Sequence, residues 1–292
     1  MHAVTLTTDP ERGRLDRATV EALRSAWGGG ETVWLNPGIA AEFAVPAVPG
    51  NARDVWAGLQ GLGVDLNWQP AEGRRKRLLL ADMDSTMIGQ ECIDELADLA
   101  GVGALVAGIT ARAMNGELDF EAALRERVAL LAGLPEAVIE EVLEQRITYT
   151  PGGRALVATM KAHGARTLLV SGGFTAFTAR VAADLGFDSH RANTLVIEDR
   201  RIAGRVAEPI LGREAKLAAL ESTAADMGIT PAEAMAVGDG ANDLAMLGRA
   251  GAGVALHAKP AVAAQCTLRI NHGDLTALLY LQGYRAEEFE AG

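Results

Sequence analysis

Three short runs of mainly apolar residues stand out in the second part of the chain, at residues 78–81, 167–170 and 234–237. Runs of this length are typical of strands that are buried on both faces of a sheet. Segments with helical periodicity separate them, for example at residues 150–163 and 213–227. This alternation predicts an α/β fold built on a Rossmann-like parallel sheet.

A long helical segment lies between the first run and the second. Apolar residues recur at helical spacing from Glu91 to Arg146, with breaks at Gly101, Asn115-Gly116 and Gly133-Leu134-Pro135. The pattern predicts helices at residues 91–100, 102–114, 119–132 and 135–146. Because these helices interrupt the core between two of its strands, we expect an inserted helical cap at about residues 88–148.

The first 72 residues have a pattern of their own. Strands are predicted at residues 3–7, 32–35, 42–45 and 64–68, and helices at 17–27 and 51–62. The order βαββαβ is that of a small ferredoxin-like α+β domain. A polar, basic segment at residues 69–77 then reads as a linker. We therefore expect two domains, at residues 1–72 and 73–292.

Shorter patterns complete the second part of the chain. Residues 194–198 and 201–206 predict a hairpin that turns at Asp199-Arg200. Thr230-Pro231-Ala232-Glu233 combines a capping box with proline at the first helical position. Two short strands and a closing helix are predicted after the third run, at residues 253–256, 267–270 and 274–284.

Composition excludes some classes of function. The chain has 27 Lys and Arg against 38 Asp and Glu residues, and the net charge of −11 argues against general binding to nucleic acid or an anionic membrane. No apolar run approaches membrane-spanning length, and the polar N-terminal 14 residues lack a signal-peptide core. Cys92 and Cys266 have no metal-binding spacing. We expect reduced thiols and a cytoplasmic location.

The first apolar run ends in two carboxylates, Asp82 and Asp84. Ligands bind beyond the carboxyl ends of strands in open α/β sheets, and two like charges buried at such a place need a cation. The pair suggests a divalent metal with oxygen ligands and one carboxylate left for chemistry. The Asp-x-Asp spacing by itself also occurs in glycosyltransferases, nucleases and surface loops.

The second and third runs end in glycine-rich turns. Ser171-Gly172-Gly173 offers a hydroxyl and amides to phosphate oxygens, although ordinary turns have the same composition. The segment 238–243 has the wrong glycine spacing for a dinucleotide motif and instead directs Asp239 and Asp243 outward from the strand end. Lys216 lies in a predicted helix between the two turns, where the usual interpretation is a solvated surface charge.

One arginine of the predicted cap lies on an apolar helix face. At 100° per residue it falls near the centre of a stripe formed by Phe120, Ala123, Leu124, Val128 and Leu131. This residue is Arg127, and a guanidinium on a buried face needs an anionic partner. An internal salt bridge to another cap residue and a substrate carboxylate both satisfy that need.

Acids, a hydroxyl and a lysine therefore follow one another at successive strand ends. Their order resembles the haloacid dehalogenase superfamily of phosphatases, whose motifs are Asp-x-Asp-x-Thr, a strand-end Ser or Thr, a Lys and Gly-Asp-x-x-x-Asp. The similarity runs from about Leu78 to the C-terminus. It is greatest to the members that hydrolyse O-phospho-L-serine, through residues 82–86 with Glu91, residues 118–128, residues 171–174 and residues 238–243.

The resemblance implies a role for each residue. Asp82 would be the nucleophile that forms an aspartyl-phosphate, and Asp84 the general acid and base. Mg²⁺ would be held by Asp82, the backbone carbonyl of Asp84 and Asp239, with Asp243 orienting its outer shell. The phosphoryl group would be held by Ser171, the Gly172 amide, Lys216 and Asn242. Glu91 would bind the substrate ammonium and Arg127 its carboxylate. Met114 and Phe120 would line the pocket, although packing in the core explains both residues equally well.

Alternatives remain open at this point. The substrate could be another small phosphomonoester, such as a phosphorylated sugar or homoserine. The chain could also be an amino-acid sensor built on an inactive phosphatase fold. Residues 1–72 are similar to an ACT-like amino-acid-binding domain, which implies feedback by serine or the formation of a homodimer.

Overall fold

The N-terminal elements form a four-stranded antiparallel sheet with two helices in the computed structural model, which describes residues 1–114 and 117–292 apart from the side chains of Ala113 and Met114. The elements are β1 (His2–Thr8), α1 (Arg17–Ala26), β2 (Val33–Asn36), β3 (Ala40–Val45), α2 (Ala52–Gln60) and β4 (Val64–Pro70). The strand order β2-β3-β1-β4 confirms the predicted ferredoxin-like arrangement. Helix α1 begins where the Asp16 carboxylate accepts the Thr19 N–H at 3.0 Å.

The remaining strands contain the predicted parallel sheet. They are β5 (Leu78–Ala81), β6 (Arg166–Phe174), β7 (Ser189–Asn193), β8 (Leu195–Glu198), β9 (Arg201–Val206), β10 (Ala234–Gly238), β11 (Ala252–Leu256) and β12 (Leu268–Ile270). Six of them form one sheet, in the order β7-β6-β5-β10-β11-β12, with every neighbouring pair parallel. This is the Rossmann order, and its direction reverses between β5 and β10.

Helices cover both faces of the parallel sheet and also form the insertion after β5. The inserted helices are α3 (Cys92–Leu99), α4 (Gly103–Met114), α5 (Phe120–Ala129) and α6 (Ala137–Gln145). The others are α7 (Gly153–Ala162), α8 (Thr175–Leu185), α9 (Arg213–Asp226), α10 (Leu244–Arg249), α11 (Pro260–Ala263) and α12 (Ala277–Leu281). The α/β fold class with an inserted helical cap is confirmed. The domain boundaries at residues 1–72, 73–292 and about 88–148 remain predictions, and the predicted turn at Asn115-Gly116 lies outside the described residues.

Three local predictions were wrong. Strand β7 was not predicted, because its sequence Ser-His-Arg-Ala-Asn contains no apolar run and only its last two residues are buried. Strand β6 does not end at Val170 but continues through a bulge to Phe174. The closing helix covers only Ala277–Leu281 of the predicted 274–284. The predicted hairpin is confirmed as β8 and β9, with Asp199 and Arg200 both at positive φ (49° and 59°).

Backbone hydrogen bonds attach the inserted helices to the core at two places. The connections at both ends of the insertion run side by side, since Gly89 N–H donates to Thr148 O at 3.0 Å. On the far side, the turn between α5 and α6 pairs with the hairpin: Gly133 N–H donates to Ile202 O at 2.8 Å and Ile202 N–H to Leu134 O at 2.9 Å. The α5–α6 end is therefore anchored to the core.

Polar side chains of β4 join the N-terminal unit to the edge of the parallel sheet. The Asp65 carboxylate accepts the backbone N–H groups of residues 271–273 at 2.8, 3.0 and 2.8 Å. The Asn67 carboxamide donates to Arg269 O at 2.9 Å and accepts Arg269 N–H at 2.8 Å. Because β4 and β12 are edge strands of their sheets, these contacts cover an edge that would otherwise expose unpaired backbone groups.

A second contact lies between the N-terminal sheet and the C-terminal helix. Helix α12 packs against β1, and Leu35, Ala40 and Tyr280 form a small apolar cluster. The Arg74 guanidinium forms a largely buried ion pair with Glu42 at 2.6 Å. The N-terminal unit is thus bound to the core by apolar, charged and hydrogen-bonded contacts together.

Within residues 1–114 and 117–292, no helix is long and apolar enough to cross a membrane. Cys92 and Cys266 are both buried and free.

We expect Asp65→Ala to lower the free energy of unfolding by at least about 2 kcal/mol, because three backbone N–H groups lose their acceptor. Urea unfolding would measure the loss. Glu72→Ala removes an exposed acid of the linker and should change stability by less than about 0.5 kcal/mol. Equal stability of Asp65→Ala and wild type would contradict the docking role of β4.

Candidate active site

Asp82 and Asp84 lie on a tight turn directly after β5. The strand is fully buried, and the Asp82 N–H continues the pairing with the neighbouring strand by donating to Val237 O at 3.0 Å. The turn then closes by hydrogen bonds from Thr86 N–H and Met87 N–H to Met83 O, at 3.2 and 2.9 Å. Ser85, at φ 54°, takes the left-handed conformation that reverses the chain. The two carboxylates are thereby held at the carboxyl end of a central strand.

A second acidic turn follows the adjacent strand β10. Asp239 and Asp243 are 9% and 0% exposed. The Asp243 carboxylate accepts Gly240 N–H at 3.0 Å, which ties the turn together. A Cβ on Gly238 would lie 2.4 Å from Asp243 Cγ, so this position requires glycine. Since β5 and β10 flank the point where the strand order reverses, both acidic turns open into the crevice where such folds bind ligands.

The side chain of Lys216 joins the two acidic turns. Its Nζ lies 2.6 Å from Asp82 Oδ1 and 2.6 Å from Asp243 Oδ1, and it is 2% exposed. Burial alone would lower the pKa of Lys216, but the charges of Asp82 and Asp243 outweigh it and raise the pKa. Lys216 is therefore not the solvated surface charge that is usual for an isolated helical lysine, and its burial agrees with the site role that the resemblance implies. It lies on the inner face of α9 and holds one oxygen of Asp82 in place.

The acids of this cluster outnumber its cation. Oxygens of Asp82, Asp239 and Asp243 lie within 4.8 Å of one another. Lys216 contacts Asp82 and Asp243, and the charge of Lys259 also acts on Asp239. Burial raises the pKa of Asp82 well above its usual value, against the attraction of Lys216. Burial, and then the charge of Asp243, raise the pKa of Asp239 to about 6. An oxygen-liganded divalent cation would remove this repulsion, so the residues fit a metal site.

The carboxylate of Asp84 points away from the acidic cluster. Its Oδ2 accepts the Ser171 hydroxyl at 3.0 Å and its Oδ1 accepts the Cys92 N–H at 2.9 Å. The hydroxyl of Ser171 in turn accepts Gly173 N–H at 2.8 Å. A Cβ on Gly173 would come within 2.8 Å of Asp84 Oδ2, so the backbone of β6 must lack a side chain to approach this acid. Asp84 is therefore oriented toward Ser171, in the predicted phosphate-binding segment, rather than toward the other acids.

The rest of the predicted phosphate-binding set surrounds the same crevice. The Phe120 ring covers Gly172, since a Cβ there would lie 3.0 Å from the ring. Asn242 is half-buried in the second acidic turn, with its Oδ1 against Gly240. The predicted contribution of the Met114 side chain lies outside the described residues.

Glu91 approaches the crevice from the start of the cap. Its carboxylate accepts the Ser85 hydroxyl at 2.8 Å and is surrounded by protein, whereas the residue as a whole is exposed. Burial of the carboxylate, and then the charge of Asp84, raise the pKa of Glu91 to about 7. An extra positive charge beside Glu91 would lower this pKa and stabilise the ionised form.

Arg127 lies on α5, within the inserted helices. The side chain is half-buried, and its Nε donates to Ala123 O at 3.2 Å. Among the described residues no carboxylate lies within 4.0 Å of it, so the internal salt bridge considered from the sequence is absent there. Burial lowers the pKa of Arg127, while the charges of Asp94, Glu91 and Asp84 oppose that shift. Arg125, on the same helix, is exposed and is paired with Glu121 and Glu208 at 3.1 and 2.9 Å.

Sequence reasoning missed two residues that support the site. Ser85 holds Glu91, and its hydroxyl could have been noted because it lies inside the Asp-x-Asp-Ser-Thr segment. Asn193 is 2% exposed and hydrogen-bonds the backbone at Gly172. No sequence signal marked Asn193, because the strand that carries it was not predicted.

The amino-acid sequence of this chain is similar to those of known hydrolases and phosphatases. The sequence profile of the haloacid dehalogenase-like hydrolases matches residues 79–248. The phosphoserine phosphatase of Polaromonas sp. (strain JS666) is 47% identical over 210 residues, which cover 70% of this chain and 89% of that protein.

Solved structures extend the similarity over the whole fold. A HAD family hydrolase from Salmonella enterica serovar Typhi superposes with a TM-score of 0.85 at 30% identity, covering 96% of this chain and 98% of the other. A phospho-aspartyl intermediate analogue of a phosphoserine phosphatase superposes with a TM-score of 0.66 at 39% identity, covering 70% of this chain and 98% of the other. The match with the Salmonella protein therefore also spans most of the N-terminal sheet.

We expect Mg²⁺ or Mn²⁺ to raise Tm, because a cation that binds only the folded state stabilises it by about 2.7 kcal/mol at one hundred times its Kd. Asp239→Asn should lose most of that shift. Differential scanning fluorimetry with EDTA and with millimolar cation would measure both effects. Asp226→Asn, which changes an exposed acid at the end of α9, should keep the full shift. Equal shifts in both variants would exclude a metal site that uses Asp239.

Proposed function

The chain belongs to the haloacid dehalogenase-like hydrolases and, within them, to the phosphoserine phosphatases, and on that premise we propose that it hydrolyses O-phospho-L-serine to L-serine and phosphate through an aspartyl-phosphate. The observation that carries the proposal is a polarised crevice. Asp82, anchored by Lys216, lies on its core side, and the Arg127 guanidinium with no close acidic partner among the described residues lies on its cap side. A substrate with phosphate at one end and carboxylate at the other matches this arrangement.

Asp82 is the proposed nucleophile. Its Oδ1 is held by Lys216 at 2.6 Å and by Met83 N–H at 2.8 Å, which fixes the orientation of the carboxylate. An oxygen of Asp82 forms a bond to phosphorus while the bond from phosphorus to the seryl oxygen breaks. Attack by water on the same phosphorus then releases phosphate and restores Asp82. The similar protein that was solved as a phospho-aspartyl intermediate analogue supports this assignment.

Asp84 is the proposed acid and base. Its protonated form gives a proton to the leaving seryl oxygen, and its ionised form then takes a proton from the attacking water. The hydrogen bonds from the Ser171 hydroxyl and from Cys92 N–H keep the carboxyl group beside residues 171–173, where both proton transfers would occur. Asp82 and Asp84 therefore perform different chemistry because different partners hold them.

Positioning of the phosphoryl group falls to neighbouring donors. Four groups at the end of the crevice would bind the oxygens of the phosphoryl group: the hydroxyl of Ser171, the Gly172 amide, Lys216 and Asn242. Lys216 does two things in this scheme: it fixes Asp82 and neutralises the charge that two anions bring together. Lys216 is held in place by Asp82 and Asp243 before substrate binds, and the Ser171 O–H, which donates to Asp84 in this structure, would turn to a phosphoryl oxygen.

Glu91 and Arg127 would select an amino acid. The substrate ammonium would bind the Glu91 carboxylate and stabilise its ionised form, which is otherwise destabilised by burial and by Asp84. The substrate carboxylate would bind Arg127, whose charge is also partly desolvated. Closure of the cap over the substrate would exclude water while the phosphoryl group moves to Asp82.

The acidic cluster fits Mg²⁺ as cofactor. Asp82 and Asp239 would hold it together with the backbone carbonyl of Asp84, and Asp243, fixed by Lys216 and Gly240 N–H, would orient the outer shell. A bound Mg²⁺ would offset the negative charge of the nucleophile and of the phosphate.

The wider setting follows from the reaction. Release of L-serine from its phosphate would be the last step of serine biosynthesis, and a cytoplasmic location remains our prediction. Regulation by serine or formation of a homodimer through residues 1–72 likewise remains a prediction.

We expect strong, metal-dependent release of phosphate from O-phospho-L-serine by the wild type and a loss of at least about 10³-fold in Asp82→Asn, which removes the nucleophilic oxygen. Phosphate release with Mg²⁺ and with EDTA would measure it. Phosphothreonine and several phosphorylated sugars serve as comparison substrates. A preference for sugars would refute the amino-acid assignment, and no turnover of any of these esters would favour the sensor.

Arg127→Ala should reduce kcat/KM for phosphoserine by roughly 30- to 1,000-fold, mainly through KM, because the substrate carboxylate loses an ion pair of about 2–4 kcal/mol. Steady-state kinetics would separate KM from kcat. Arg125→Ala removes an exposed arginine from the opposite face of the same helix and should leave both kcat and KM within twofold of wild type. An unchanged KM in Arg127→Ala would exclude this residue from the substrate site.

A further inference from the structure

The side-chain amide and the side-chain carbonyl of Asn193 are both hydrogen-bonded to backbone groups near the site. Its Nδ2 donates to Gly172 O at 2.9 Å and to Leu211 O at 3.2 Å, and its Oδ1 accepts Leu211 N–H at 2.7 Å. The residue is the last of β7 and is 2% exposed. Both amide hydrogens are used, so one buried side chain joins two separate stretches of chain.

The first of these stretches is the bulge in β6. The register of β6 and β7 pairs Val170 with Arg191 and then Phe174 with Asn193, so three residues of β6 oppose a single residue of β7. Strand β6 thus has two residues more than β7 here, and Ser171, Gly172 and Gly173 form a bulge that lies beside Asp84. Their backbone groups need other partners. Asn193 supplies one of them at the carbonyl of Gly172.

The second stretch leads into the helix that carries Lys216. Leu211 precedes Gly212, the residue before the first turn of α9. Gly212 also lies against the Phe120 ring, with 3.4 Å between the ring and a Cβ placed there. By fixing Leu211 from both its N–H and its C=O, Asn193 sets where α9 begins and hence where the Lys216 side chain enters the crevice.

We infer that Asn193 is a positioning residue for the phosphoryl group, because it holds both the bulge of β6 at Gly172 and the start of the helix that carries Lys216. The inference rests on the proposed function, and it concerns the phosphate end of the substrate only. Glu91 and Arg127 lie on cap elements that Asn193 does not contact among the described residues. Loss of Asn193 should therefore weaken binding of the phosphoryl group and leave binding of the serine end unchanged.

Asn193→Asp tests this with little change of shape. A carboxylate can still accept Leu211 N–H, but it cannot donate to the carbonyls of Gly172 and Leu211 and instead repels them. We expect kcat for phosphoserine to fall at least tenfold. Inhibition by orthovanadate and by inorganic phosphate should weaken at least tenfold, while inhibition by L-serine stays within twofold of wild type.

Asn67→Asp is the matched control. Asn67 is equally buried and likewise donates to and accepts from the backbone, at Arg269, but it lies on β4 away from the crevice. We expect it to lower Tm while kcat and all the inhibition constants stay within twofold of wild type. A role of Asn193 in folding alone predicts the same behaviour for both variants, and that result would overturn the inference.

Two further measurements keep the outcome decisive. If Asn193→Asp does not fold, Asn193→Ser, which removes the donors without adding charge, is measured in the same way. If the wild type does not hydrolyse phosphoserine, the proposed function fails. The inference about Asn193 is then tested by the turnover of p-nitrophenyl phosphate, and by its inhibition by orthovanadate, in the wild type and in the Asn193 variant. Unchanged orthovanadate inhibition in a folded Asn193 variant would overturn it.

Discussion

The interaction on which the site depends is the buried contact of Lys216 with Asp82 and Asp243, at 2.6 Å from each. Two carboxylates from adjacent strand ends and an ammonium from a helix that lies elsewhere in the sequence meet where almost no water reaches them. Removing the ammonium would leave like charges buried together, which is strongly unfavourable. The contact also leaves an excess of negative charge, because Asp239 adds a third carboxylate. The arrangement that holds Asp82, the proposed nucleophile, therefore favours a divalent cation, and a bound cation would in turn offset the charge of an anionic substrate.

The topology explains why so many elements converge on this point. Strands β5 and β10 are neighbours at the reversal of strand order, so the residues that follow them share one crevice. Strand β6 lies on the other side of β5 and brings Ser171 against Asp84. The inserted helices leave the core after Asp84 and return before β6, and they bring Arg127 close enough for the charges of Glu91 and Asp84 to act on it. In the function we propose, the strand ends carry the chemistry and the insertion selects the substrate.

The N-terminal unit has a structural role that does not depend on any ligand. Asp65 and Asn67 take up backbone groups of β12 and of the loop after it, and α12 packs on β1. An uncovered edge strand would invite pairing with other chains. The phosphatase core of this chain is therefore completed by residues that lie outside its sequence motifs, and a feedback or dimerisation role would be an addition to that.

The sequence by itself determined the local elements and the chemistry of the strand ends. Apolar runs predicted β5, β6 and β10, helical spacing predicted the insertion, and the acids after β5 and β10 indicated a metal and phosphate site, because these signals depend on neighbours within a few residues. Only the tertiary structure decided which polar residues are buried and paired. Lys216 had the pattern of a surface charge, Arg127 left an internal salt bridge open, and Asn193 lay in a strand without an apolar run. Each of these outcomes depends on residues far away in the chain, whose distance in space a local pattern does not contain.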